Sequence, residues 1–134
     1  MTTRRFLAAV LMASPTLVCA QATTPPASTV AIEFPPGAET MAEDAIRARF
    51  SGKVVRMQFA AGPQIRIDVR ANGYMHGDAS TGWRDTGRWH VKGSAWCDDW
   101  QRSQTAGGCN EVRLADGMLL LKRRSNGEIV AIRE

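Results

Sequence analysis

Glycine-bearing turn dipeptides recur about every ten residues through most of this chain. They are Asn72-Gly73, Thr81-Gly82, Lys92-Gly93, Asp116-Gly117 and Asn126-Gly127, with Gly107-Gly108 between the third and the fourth. Gly and Asn tolerate the positive φ that tight hairpins require. The intervals between such turns suit short strands, and the side-chain period agrees. Val55, Met57 and Phe59 alternate with Arg56 and Gln58, and Ile65, Ile67 and Val69 alternate with Arg66, Asp68 and Arg70. That is the period-two pattern of strands with one buried face. The pattern predicts seven strands near 54–59, 64–71, 73–79, 86–92, 94–100, 109–114 and 118–123, and an eighth at 128–133. The expected fold class is mainly β: an antiparallel meander forming a small barrel or a sandwich, which share the same alternation.

One short helix is expected before the meander. Thr40-Met41-Ala42-Glu43 has the form of a capping box, in which a hydroxyl caps the first turn and the glutamate reaches back. The residues that follow, to about Arg49, are good helix formers. Met41, Ala45, Ile46 and Arg49 or Phe50 are expected to share the face that packs on the sheet. Residues 21–37 hold Pro25-Pro26 and Pro35-Pro36 among Thr, Ala and Ser, and read as a tether. Val30, Ile32 and Phe34 alternate within it, room for a short edge strand. The single β-rich domain is expected over 38–134.

The first twenty residues have the order of an export signal. Arg4 and Arg5 precede an apolar run from Phe6 to Val18, and Val18-Cys19-Ala20 precedes Gln21. A charged head, a short apolar middle and small residues at the end predict cleavage near Ala20 and a periplasmic or secreted protein. Lipid attachment at Cys19 is the competing fate. Removing the signal takes Arg4 and Arg5 away and leaves 15 basic against 13 acidic residues, a net +2. So small a charge does not argue for nucleic acid, which selects concentrated basic patches. No later segment has the roughly 20 apolar residues of a membrane-spanning helix.

Of the three cysteines, Cys97 and Cys109 lie in the expected domain. In an oxidising compartment an even pair is most simply a disulfide. The alternative, a thiol metal site, lacks a histidine clustered with the cysteines in sequence. A bridge directly across the hairpin would leave 98–108 as a stapled loop carrying Asp98, Asp99, Trp100 and Arg102. A long loop stiffened on a rigid sheet is a common place for binding groups, and these four form the candidate binding loop.

Other chemistry-bearing residues are sparse. Trp83, Trp89, Trp96 and Trp100 fall within eighteen residues; most are expected in the core, with Trp83 or Trp100 exposed beside a turn. His76, His90 and Asp78 make a thin metal set, and no metal or other cofactor is expected. Asp98 and Asp99, with Asp85 and Glu111, are the carboxylates available for acid–base work. Neighbours on a strand point opposite ways, so a solvated loop is the plainer reading. No nucleophile elbow or phosphate-gripping loop is present, and no catalytic residue is assigned. Lys122-Arg123-Arg124 reads as a solvated, aggregation-resistant edge.

Thr81-Gly82-Trp83, Asp85 through Val91, Trp96-Cys97, Gly108 through Val112, Leu120-Leu121-Lys122 and Gly127-Glu128 follow an order that, after a Phe50-Ser51-Gly52 lead-in, resembles a family of short exported bacterial proteins of unknown function. The likeness covers roughly residues 40–133. It implies a periplasmic or secreted β domain with a disulfide and brings no catalytic residues. The expected function is a non-enzymatic envelope module that binds a protein partner or a small ligand. An inhibitor of an envelope-attacking enzyme such as lysozyme is a specific version. A small hydrolase and a structural or assembly factor are the alternatives.

Overall fold

The computed structural model describes residues 30–104 and 107–134. The expected signal peptide at 1–20 and residues 21–29 of the expected tether lie outside them. After a two-residue strand β1 (Glu39–Thr40) comes helix α1 (Glu43–Phe50). The meander follows as β2 (Lys53–Gln58), β3 (Gln64–Val69), β4 (Tyr74–Ala79), β5 (Arg84–Lys92), β6 (Ala95–Trp100), β7 (Gly108–Ala115), β8 (Met118–Lys122) and β9 (Ile129–Arg133). Each strand from β2 to β9 pairs antiparallel with the next, and β9 returns to β2 through Arg56↔Arg133 and Met57↔Ile132. The sheet is therefore a closed eight-stranded barrel, which settles barrel against sandwich. The turn reading holds at the backbone: Gly73, Gly82, Gly93, Gly117 and Gly127 have φ of 86, 88, 60, 76 and 75°.

The inner face carries the core. Val55, Val69, Met75, Trp89, Val112 and Val130 are all buried there, alternating with exposed or half-buried neighbours. Each of the Val and Met side chains removed from water contributes about 1.5–3 kcal/mol. At one end α1 plugs the barrel with Ile46 and Phe50, both fully buried. Phe50 stacks on Trp96 with ring centroids 5.2 Å apart. The plug is tied outside by Glu134, which accepts from Arg49 at 2.6 Å and Lys53 at 3.4 Å.

Three local expectations are corrected. Thr40 does not cap the helix. It pairs with Arg113 as part of β1, on the side of β7 beyond the β6 pairing. The helix starts after Ala42 without a side-chain cap. Glu43 bonds Arg47 at 2.9 Å and the Gly93 N–H at 3.1 Å instead. An acidic first turn and a basic last turn still complement the helix dipole. Ala45 is exposed, because two turns bring only the i, i+4 pair Ile46 and Phe50 fully inward. Val30, Ile32 and Phe34 form no strand; two prolines follow, and both Val30 and Ile32 are exposed.

Cys97 and Cys109 are directly opposed across β6 and β7 and are joined as the disulfide, on the outer wall. His90 lies opposite Cys97 on β5, and its ring nitrogen and the two sulfurs lie within 4.8 Å of one another. Metal ligation by cysteine requires the thiolate, which the bridged pair does not offer. His76 faces Thr86 and Asp78 bonds Arg66 at 3.3 Å, so the set of His76, His90 and Asp78 does not converge.

Candidate functional site

The barrel end opposite the helix is open. There the β2–β3, β4–β5 and β8–β9 connections border a cavity of about 410 Å³. Its walls are Met57, Phe59, Ile65, Ile67 and Leu121, with the rings of Trp83, Trp96 and Trp100. Trp96 separates the cavity from the helix plug, since it lines the one and stacks on Phe50 of the other. Glycine makes the room: a Cβ on Gly77, which faces inward, would sit 2.8 Å from the rings of both Trp83 and Trp100. Those rings meet edge to face at 5.3 Å.

Four polar residues occupy inward positions at this end: Asp85, Asp98, Asn110 and Glu128. Two of them hold the rim together. Asp85 is buried and accepts from the backbone N–H groups of Thr86 (2.8 Å), Arg102 (3.1 Å) and Ser103 (2.9 Å). Burial opposes its charge, but these bonds outweigh burial and hold its pKa below the usual carboxylate value. Asp85 thus pins the start of the β6–β7 loop. Glu128 is buried too. It accepts from the Ala60 N–H (2.8 Å), Arg123 (3.3 Å) and the Asn126 amide (3.3 Å), joining the β2–β3 and β8–β9 connections. Burial again works against the charge and the three donors prevail, so its pKa is lowered.

Asp98 differs. Its carboxylate accepts from Trp100 Nε1 and from Asn110 Nδ2 (3.0 Å), and no cation pairs with it among the described residues. Burial dominates here, and the pKa is pushed up to about 6 despite these two donors and the backbone N–H groups of Asp98 and Gly108. Arg123 and Glu128, the other charged side chains lining the cavity, are bonded to each other. The folded pKa lies above the ordinary 3.8, so the proton is held more tightly in the folded state. Its stabilising effect is complete below pH 3.8 and is lost as pH rises through about 6. Relative to Asp98→Asn, the wild-type protein is expected to lose about 2 kcal/mol of stability between pH 3.5 and pH 8, a figure discounted for cavity water. Urea melts of both proteins at the two pH values measure it; a constant difference would contradict the assignment.

The expected binding loop is redrawn by this geometry. Strand β6 runs through Trp100, so Asp98 and Trp100 lie on the strand and face the cavity. Trp100 is only 5% exposed, and Trp83 is half-buried, so neither stands out as an exposed tryptophan. Asp99 points outward and Arg102 is exposed on the loop proper, so the four residues do not form one surface. Asp98 has the parity of Trp96 and Trp100, Asn110 that of Val112, and Glu128 that of Val130. That polar-on-the-inside signal was present in the sequence and marks the site. Arg123 is expected on a solvated edge. Instead it turns over the Phe59 ring at 4.5 Å and into the cavity lining. Comparison with protein-family models, curated proteins and solved structures gives no match.

Proposed function

We propose that this protein is a non-enzymatic binding module that takes a small, largely apolar ligand into the open end of its barrel. The observation that carries this reading is the cavity of about 410 Å³ walled by three tryptophans and closed beneath by the helix plug. Ligand sites are typically cavities of this size, mainly apolar with a few placed polar groups. Export to the periplasm or beyond belongs to the same proposal, and the disulfide supports it. The loop-borne inhibitor version loses support, because Asp98 and Trp100 point inward. The hydrolase alternative draws on one observation, a protonatable Asp98 near a carboxylate kept charged. Glu128, however, is already engaged by three donors, and binding accounts for more of the arrangement.

The neutral fluorophore N-phenyl-1-naphthylamine is expected to bind one to one, with energy transfer from tryptophan. Ile65→Trp, which fills the mouth from β3, should weaken that binding at least tenfold while the protein still melts cooperatively. Binding unchanged in Ile65→Trp would place the fluorophore elsewhere and count against the cavity.

A further inference from the structure

Three features of the cavity converge on one chemical class of ligand. First, Asp98 carries the cavity's unbalanced charge: Arg123 and Glu128 pair at 3.3 Å, and no basic side chain reaches Asp98 among the described residues. Second, its carboxylate meets only neutral donors, the Trp100 indole, the Asn110 amide and the backbone N–H groups of Asp98 and Gly108, so its charge is not cancelled. Third, the walls beside it are aromatic: Trp83, Trp96 and Trp100 line the same space. Indole faces attract cations, by up to about 2 kcal/mol where water is excluded. A neutral apolar ligand would leave the carboxylate partly desolvated and unpaired, and an anion would be repelled by it.

We propose that the barrel mouth selects an organic cation, an ammonium group on a short apolar body, with the charge held between Asp98 and the tryptophan rings. This rests on the cavity being a ligand site and goes beyond it by naming the charge of the ligand. Asp98 and the aromatic walls supply the recognition, while the aliphatic walls at Met57 and Ile65 receive the body.

The test is calorimetric titration of the oxidised protein at pH 7.5 with three probes of one chain length: hexyltrimethylammonium, hexanol and hexanoate. The cation is expected to bind at least tenfold more tightly than the alcohol, and hexanoate more weakly than either. Asp98→Asn should abolish the preference for the cation while keeping hexanol binding. Trp83→Leu, at a half-buried position, should reduce the preference without touching the carboxylate. Equal or tighter binding of hexanol or hexanoate would overturn the cation assignment and leave the apolar site standing, as would a preference that survives in Asp98→Asn. Failure of all three probes to bind would overturn both readings.

Discussion

Phe50→Ala is expected to destabilise the protein by about 3–5 kcal/mol, the usual cost of emptying a buried aromatic position. Phe50 is fully buried at the last turn of α1 and supports the ring of Trp96. Its removal leaves a void that a closed sheet cannot collapse to fill, because the eight paired strands fix the diameter. A small domain has only about 5–15 kcal/mol to lose, so the variant should melt at much lower urea. Phe50→Leu keeps much of the volume and should cost less than half as much. A Phe50→Ala midpoint indistinguishable from wild type would mean that the helix does not plug the barrel.

The second large effect concerns the Cys97–Cys109 bridge. It closes a loop of about 13 residues, for which chain entropy gives about 3 kcal/mol. The Cys97→Ala/Cys109→Ala double variant is expected to melt about 10 °C or more below the oxidised wild type, given a shift of about 4–8 °C per kcal/mol for a domain of this size. Scanning calorimetry of the wild type with and without a dithiol reductant should give the same difference. If both comparisons shift the melting temperature by less than about 2 °C, the β6–β7 hairpin is fixed by pairing and packing alone.

Much of this fold was legible in the sequence, because local rules and the global structure agree along the meander. The eight expected strands, the single helix and the opposed cysteines all rest on period-two alternation and glycine turns, and each appears within a few residues of its expected bounds. Closure was not legible: the β2–β9 seam joins the two ends of the meander through two register pairs, and no local pattern reports a partner so far away. Thr40 shows the opposite failure. A well-formed local cap signal is overridden by tertiary pairing with β7. The candidate site was half legible. Its tryptophans are visible as a cluster, but the expected stapled loop over 98–108 takes in the adjacent acids Asp98 and Asp99 together. The expected strand over 94–100 already reaches Trp100, and on β6 parity sends Asp98 inward and Asp99 out.

The outer-wall disulfide has a meaning for the inside of the barrel. Cys97 is the chain neighbour of Trp96 and Asp98, and Cys109 is the neighbour of Asn110, whose amide bonds the Asp98 carboxylate. A one-residue slip between β6 and β7 would turn one set of these side chains to the opposite face. The covalent bond forbids that slip, so it acts as a registry pin. Whenever the hairpin opens and re-forms, Asp98 and Asn110 return to the same side of the wall and within reach of each other. The chemistry of the mouth is thereby inherited from a bond that never touches the cavity.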